Sequence, residues 1–192
     1  MLDLGSGDGH YKELLTHFGF SYESVDWSAS PHAGEPDIVG DLNQNLAIPN
    51  AYCEALFCWS VLEHLSEPKL FLHECSRILK PDGKLILQVP FMWQVHEAPH
   101  DFFRFTEYGL EHLLAGAGFR VLDMSTQGGI LVTLTMKLFY QLNRFVPKRF
   151  KNFFNILMFP IGMLGYTVAH LLDRFSKSDG ETSGYILLAE KM

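Results

Sequence analysis

The chain has 192 residues, 47% of them hydrophobic and 19% charged, with a formal net charge of −7. These figures suit one folded domain with a real core and argue against disorder. The acidic balance offers no general attraction to nucleic acid, so none is expected as a partner.

Apolar runs and breakers alternate in a strand–helix rhythm. Met1–Leu4 reads as a strand, Tyr11–Phe18 as a short helix and Tyr22–Asp26 as the next strand. "SASPHAGEP" holds too many breakers for a full helix, so the second crossover is expected to be a loop. Asp37–Val39 and Ala55–Trp59 follow as strands. Pro68 opens a helix that runs to about Leu79, where "KPDG" is expected to turn the chain into a strand over Lys84–Val89. Thr106 caps a helix that ends near Ala117, with Gly118 as its stop. Arg120–Met124 and Ser183–Glu190 are the last two strands. Such alternation with short connections predicts an α/β domain built on a mostly parallel sheet covered on both faces. Sheets of this kind bind ligands beyond the C-terminal strand ends, where strand order reverses.

The stretch "LDLGSGDGHY" places three glycines, Gly5, Gly7 and Gly9, at one such strand end. Glycines there let the backbone bend sharply and approach a ligand closely. A dinucleotide fingerprint would require glycine where His10 stands, and a P-loop would require a Lys-Ser or Lys-Thr pair, so neither fits. Asp26 ends the second strand, where a carboxylate can accept from a ribose diol. Asp41 follows the third strand, placed to accept from an exocyclic amine of adenine. Each acid alone would read as a solvated loop end; three in register on successive strands point to one ligand.

The pattern resembles the class I S-adenosylmethionine-dependent methyltransferases, in particular the type-11 group. "LDLGSGDG", "YESVDWS", "DIVGDLN", "ALFCWSVLEHL" and "LKPDGKLILQVP" are similar to that group's successive motifs, and the likeness covers Met1 to about Met124 and resumes in "SGYILLAEK". It implies a Rossmann-like doubly wound sheet of seven strands with the last antiparallel, and S-adenosylmethionine as cofactor. By the same resemblance, Asp3, Gly5, Ser6, Gly7 and Gly9 would wrap the methionine moiety, and Asp3 would order the turn or meet the cofactor's ammonium. Asp26, with Trp27 beside it in the same motif, would hold the ribose. Asp41 and Leu42 would frame the adenine, and Trp59 and Ser60 would line the floor beneath the sulfonium.

Methyl transfer needs an aligned nucleophile and, where necessary, a group to take its proton. "LEHL" sets Glu63 and His64 just beyond the fourth strand. It is similar to the Glu-x-x-Glu-His that holds magnesium in ubiquinone-pathway and small-RNA O-methyltransferases. Ser60 stands where the first of those glutamates would be, so no metal is expected. "VHEAPHDFFRFT" carries His-Glu-x-x-His on paper, but that spacing ligates zinc only on a helix, and Pro99 forbids one. A loop over the strand ends is expected instead, with His96, His100, Asp101 and Arg104 facing the acceptor. Histidine takes a proton near neutral pH and arginine orients anions. The plainer alternative is an Asp101–Arg104 pair that only fixes the loop.

Residues 127–182 form a hydrophobic insertion before the last strand, expected to be helical within a single domain over 1–192. It holds the basic knot "PKRFK" and then "NFFNILMFPIGMLGYTVAHLL", which has no charged side chain. That run is about as long as the ~20 apolar residues that span a bilayer, but Pro160, Gly162, Gly165 and its polar residues make a spanning helix the weaker expectation. Two readings stand side by side. One is a buried helical hairpin or dimer surface; the other is peripheral membrane contact through 129–175, with Lys148, Arg149 and Lys151 meeting anionic headgroups. Either hints at a lipophilic or lipid-linked acceptor. The front end reads as truncated, because methyltransferases of this kind carry a helix before the first motif. Cys53, Cys58 and Cys75 form no Cys-x-x-Cys pair, and the N-terminus lacks secretory features, so a cytoplasmic setting is expected, peripheral at the inner membrane face if the membrane reading holds.

Three functions follow from these residues. The leading one is an S-adenosylmethionine-dependent methyltransferase acting on a small or lipid-linked acceptor at oxygen. The second is a catalytically weak or inactive module of the same fold tethered to a membrane or partner. The third, a nicotinamide oxidoreductase, is disfavoured by His10.

Overall fold

A computed structural model describes residues 1–27, 35–175 and 180–192, and the chain divides into two compact units. The first unit comprises Met1–Pro90, Gln94–Ser125 and Tyr185–Met192, and the second Phe91–Trp93 and Thr126–Gly184. The expected insertion thus forms most of a unit of its own. Most of the Ser28–Pro36 stretch expected as a loop lies outside the described residues.

In chain order the elements are β1 (Leu2–Leu4), α1 (Lys12–His17), β2 (Glu23–Asp26), β3 (Ile38–Val39), β4 (Cys53–Trp59), α2 (Pro68–Ile78), β5 (Leu79–Pro90), α3 (Glu107–Gly116), β6 (Phe119–Thr126), α4 (Ile130–Phe145), α5 (Lys151–Asp173) and β7 (Gly184–Lys191). One 3₁₀ turn over Leu62–His64 follows β4. The strands form one sheet in the order β3-β2-β1-β4-β5-β7-β6. Six run parallel and β7 antiparallel, as in Rossmann-like methyltransferases. β1 pairs with β2 on one side and β4 on the other, with Asp3 opposite Ser24 and Phe57. Chain order reverses between β1 and β4, so the crevice that such sheets offer to ligands opens at their C-terminal ends.

Burial explains why these runs pair. Leu4, Leu56, Cys58, Leu85, Leu87 and Val89 are all fully buried within the sheet, as expected of parallel strands covered on both faces. α2 begins at Pro68, whose missing N–H is no loss at a first turn, and buries Phe71, Leu72, Cys75 and Ile78 along one stripe. Each such side chain contributes about 1.5–3 kcal/mol relative to exposure. Thr106 caps α3 as expected, its hydroxyl accepting from the Gly109 N–H at 3.1 Å.

The "KPDG" stretch differs from expectation. Instead of separating α2 from β5, it lies inside β5. β4 advances from Cys53 to Ala55 while β5 advances from Leu79 to Lys84, so Lys80–Gly83 bulges from the ladder. Asp82 takes the left-handed conformation (φ 61°), and a Cβ at Gly83 would stand 2.8 Å from the Lys80 carbonyl oxygen. The turn residues act as a bulge because α2 hands its last buried residue directly to the sheet.

The second unit is a helical hairpin. Gly162 and Gly165 of α5 lie against Phe139 and Thr135 of α4; a Cβ on them would make ordinary contact at 3.6 and 3.5 Å. Asp173 closes the open end, its carboxylate accepting from the N–H groups of Leu131 (3.0 Å) and Val132 (2.9 Å) at the start of α4. At the turn, the Asn143 amide donates to Asn155. The hairpin is as expected, but burial within the chain is not. Only Val132 and Thr133 of α4 and Ala169 of α5 are buried, while Phe153, Ile156, Phe159 and Leu164 are 67–76% exposed. Lys148–Asp173 is long and apolar enough to cross a membrane by length and composition.

Candidate active site

β1 delivers Asp3 into the glycine turn. Gly5, Gly7 and Gly9 stand in the left-handed region, with φ of 75°, 56° and 78°, where a side chain costs strain. Gly5 has a second constraint, since a Cβ there would come 2.4 Å from Val61 Cγ2. The turn is pinned to β2 because the N–H groups of Gly5 and Ser6 both donate to the Val25 carbonyl, at 2.8 and 3.2 Å. Beside it lies a cavity of about 250 Å³, lined by Asp3, Gly5, Ser6, Gly7, Asp8, His10, Tyr11, Trp59, Ser60 and Glu97.

Asp3 is 2% exposed, and its Oδ2 accepts the Tyr22 hydroxyl at 2.7 Å. Burial raises its pKa to about 6; the Tyr22 hydrogen bond moderates the rise and the Asp26 charge adds to it. A carboxylate in this state gains from a cationic group beside it. Elsewhere on the wall, the Tyr11 and Trp59 rings stand 5.5 Å apart and Phe57 stacks on Trp59 at 5.6 Å. Aromatic faces attract cations. A ligand bearing both an ammonium and a sulfonium therefore fits the donor set that this cavity offers.

Asp26 closes the turn from below. Its Oδ2 accepts from the Gly7 N–H at 2.7 Å and its Oδ1 from the Trp27 N–H at 2.8 Å, and each oxygen keeps capacity for a hydroxyl donor. Asp41 is engaged locally, its Oδ1 accepting from the Asn43 N–H (2.9 Å) and its Oδ2 from the Gln44 amide (3.0 Å). Leu42 is a core residue, 6% exposed. Ser60, at φ 54°, donates its hydroxyl to the Gln88 side-chain oxygen at 2.6 Å. The structure thus brings Asp3, Gly5, Ser6, Gly7, Trp59 and Ser60 to one cavity and ties Asp26 to it through Gly7. Gly9, Trp27, Asp41 and Leu42 do not line it.

The loop after β5 is not helical over His96–His100, and the two histidines of the apparent zinc spacing part company. His100 is exposed, its ring edge-on to Trp27 at 5.7 Å. His96 turns inward to His64, ring centroids 4.7 Å apart. Asp101 and Arg104 brace the loop. The guanidinium donates to both Asp101 oxygens, at 2.6 and 2.7 Å, and to the Gln94 carbonyl at 3.0 Å, while Asp101 Oδ2 also accepts from the His96 N–H at 2.8 Å. Arg104 holds the Asp101 carboxyl well below the usual carboxylate range. The Asp101 side chain is only 1% exposed, so the pair sits within the loop that presents the histidines.

Glu63 is the unexpected member. It lies in the 3₁₀ turn between buried Leu62 and His64, is fully buried, and neither carboxylate oxygen has a hydrogen-bond partner among the described residues. Its Oε1 stands 3.6 Å from His64 Nε2 and 3.8 Å from His96 Nε2. Burial pushes its pKa up to about 8, against the lowering effect of the Arg104 charge. Its own carbonyl accepts from the N–H groups of Phe102 and Phe103, at 2.9 and 3.2 Å, which docks the loop on the turn after β4. The sequence placed Glu63 beside His64 without its burial; the acid inside the apolar run "SVLEHL" is the signal. Tyr11, Tyr22 and Glu97 were missed. Tyr11 alone had a cue, being an aromatic directly after the glycine turn.

A methyltransferase-domain family matches residues 1–124. The chain is similar to the ubiquinone biosynthesis O-methyltransferase of Klebsiella pneumoniae, 29% identical over 96 residues, which is 44% of this chain and 40% of that protein. It is also similar to the mitochondrial ubiquinone biosynthesis O-methyltransferase of Schizosaccharomyces pombe, 31% identical over 100 residues, or 45% of this chain and 36% of that one. The matches therefore span about two fifths of the relatives' length. Among solved structures, a SAM-dependent methyltransferase from Archaeoglobus fulgidus superposes with a TM-score of 0.64 at 16% identity, covering 99% of this chain and 85% of that one. Phosphoethanolamine N-methyltransferase 2 of Haemonchus contortus, solved with S-adenosyl-L-methionine, does so with a TM-score of 0.60 at 16% identity, covering 100% and 48%; these likenesses establish the fold. The chain belongs to the class I S-adenosylmethionine-dependent methyltransferases, in the type-11 group, whose methyl donor is S-adenosylmethionine.

Proposed function

We propose that this chain moves a methyl group from S-adenosylmethionine to an oxygen of a small, lipophilic or lipid-linked acceptor. The bound donor supplies an electrophilic methyl group, and the residues supply grip, alignment and a proton acceptor. One observation carries the reading: a buried carboxyl and two imidazoles converge within the segments that also give Ser60 and Glu97 to the cavity wall. The two curated relatives are O-methyltransferases by name, which supports oxygen as the target.

Asp3 receives the donor's ammonium, Gly5, Ser6, Gly7 and Gly9 let its chain pass close to the backbone, and Tyr11 and Trp59 face its sulfonium. Asp26 and Trp27 serve the ribose, Asp41 and Leu42 the adenine, and Ser60 the floor. His64 and His96 take up the acceptor's proton beside Glu63, and His100 meets the acceptor at the exposed rim. Asp101 and Arg104 position the histidines rather than touch substrate. The test is methyl transfer to prenylated phenols against matched amines, followed by mass spectrometry. Methylated phenol, with kcat reduced in His96→Ala, is expected; methylation only of the amine would overturn the choice of oxygen.

The setting we propose is cytoplasmic, with peripheral contact at the inner membrane face through 129–175. Residues 127–175 carry Lys137, Arg144, Lys148, Arg149, Lys151 and Arg174 against a single acid, Asp173, in a chain whose net charge is −7. A basic turn beside exposed Phe, Ile and Leu suits an anionic bilayer surface. Flotation with anionic vesicles tests this, and protein that stays at the bottom would leave a protein–protein surface.

A further inference from the structure

We propose that the hairpin meets an anionic bilayer through one wholly aliphatic face and lies flat in a single leaflet, without crossing. The inference rests on the membrane contact proposed above and names the surface, the orientation and the depth of that contact.

The two helices run antiparallel. Asn143 pairs with Asn155 near the turn, Phe139 lies against Gly162, Thr135 against Gly165, and Leu131 and Val132 meet Asp173 at the open end. The seam therefore follows Thr135, Phe139 and Asn143 on α4 and Gly162, Gly165 and buried Ala169 on α5. Successive residues turn by about 100° around a right-handed helix. In an antiparallel pair, positions rotated the same way from the seam share a face. On one face Leu134, Leu138 and Leu142 of α4 stand beside Ile161, Leu164 and Val168 of α5, all 41–67% exposed. Among the described residues no polar side chain of either helix falls within it. The opposite face is mixed. There Tyr140 meets Trp93 at 6.2 Å, Tyr166 and His170 stack at 6.3 Å, and Asn152 and Phe159 complete the α5 side. Lys137 and Arg144 stand on the outer edge of α4, and Lys148, Arg149 and Lys151 gather at the turn.

An aliphatic face bordered by cations along one edge and at one tip selects an anionic lipid surface over a second copy. Residues 127–175 of each copy carry six basic residues against one acid, so two hairpins stacked face to face would repel, whereas acidic headgroups attract them. The face also lacks the donors and acceptors that a protein interface of this extent carries. The same residues oppose crossing. α4 has 16 residues and is about 24 Å long, short of the ~30 Å hydrocarbon core. An upright hairpin would carry Lys137 into hydrocarbon and the basic turn through it. α5 alone has the length to cross, but it is packed along α4. Lying flat, the face sinks roughly 5–10 Å to the acyl boundary while the long basic side chains reach back to the headgroups.

The experiment places one thiol at a time on the full chain, with Leu138→Cys and Leu164→Cys on the aliphatic face and Met136→Cys and His170→Cys on the mixed one. All four positions are exposed, so the fold tolerates the changes. Cys53, Cys58 and Cys75 are buried, and the unaltered chain, labelled in parallel, sets the background. Each variant carries a polarity-sensitive fluorophore and is mixed with phosphatidylcholine vesicles containing phosphatidylglycerol, with and without bromine on the acyl chains. Labels at positions 138 and 164 should shift to the blue and lose emission to the brominated chains, while labels at 136 and 170 keep the emission seen in water. Protein that floats yet is quenched alike on both faces, or only on the mixed one, would overturn the assigned face and leave the membrane contact standing. A blue shift at 138 and 164 that grows with protein concentration in the absence of vesicles would give the face to a second copy instead. Protein that does not float would remove the contact itself, and this inference with it.

Discussion

The two units of this chain treat their apolar residues in opposite ways. In the sheet unit, Leu4, Leu56, Leu72, Leu85 and Leu87 are fully buried, whereas in the hairpin Phe153 and Ile156 are 69% and 76% exposed. The sheet unit closes a core of its own. The hairpin is held by the Gly162 and Gly165 contacts and by the Asp173 cap at the start of α4, and it leaves a large apolar surface unspent. Exposed apolar patches mark interaction sites, which is why docking is proposed for the second unit and not for the first.

The comparison breaks most visibly through side-chain truncation. Phe71→Ala removes a residue 1% exposed and should cost about 3–5 kcal/mol in chemical denaturation, whereas Phe153→Ala should stay within about 0.5 kcal/mol. Equal costs would erase the distinction between the units. Gly5→Ala comes next. Its left-handed φ and the Val61 clash should together cost about 2–4 kcal/mol, lowering the melting temperature and abolishing donor binding in the same variant.

Asp26→Ala frees the Gly7 and Trp27 N–H groups and should weaken S-adenosylmethionine binding by about 1–3 kcal/mol. Unchanged affinity would refute its place at the site. Acidification sharpens the picture through Asp3. Its pKa, raised to about 6, means that the charge which meets an ammonium is lost as pH falls through that value, so donor affinity should drop there by at most about tenfold per pH unit. Stability moves the other way. A buried carboxyl with a raised pKa favours the fold when protonated, so its contribution is fully present below the ordinary carboxylate value and disappears as pH rises through the raised one. Calorimetry and melting curves recorded from about pH 4 to about pH 8, which brackets that titration, should therefore trend in opposite directions. The smallest effect expected is on the hairpin. Lys148→Glu with Arg149→Glu should leave the melting temperature almost unmoved while reducing flotation with anionic vesicles, since each basic residue near such a surface is worth about 1 kcal/mol.

Much of the sheet unit was legible because periodicity and breakers report local structure. The glycine turn, Thr106 at the start of α3 and Pro68 at the start of α2 all stood where the chain predicts. "KPDG" misled because turn chemistry and bulge chemistry use the same residues, and only the pairing of Cys53 with Leu79 and Ala55 with Lys84 decides between them. The Glu63–His64–His96 cluster joins segments more than thirty residues apart, docked by the Glu63 carbonyl on Phe102 and Phe103. A contact of that kind leaves no periodic trace. Asp41 shows the converse: its position in the chain suggested a ligand but not the local hydrogen bonds that its oxygens accept from Asn43 and Gln44. The hairpin's composition was plain to read, but not its exposure, because an apolar helix reads alike in a core and on a surface.

The most direct trial of the account is calorimetric titration of S-adenosylmethionine into the full chain and into Asp3→Asn. Saturable one-to-one binding, weakened in the variant by roughly tenfold to a hundredfold for loss of a charged partner, is the predicted result. No saturable binding, or equal affinity in the two proteins, would contradict the assignment of the glycine-turn cavity to the methyl donor.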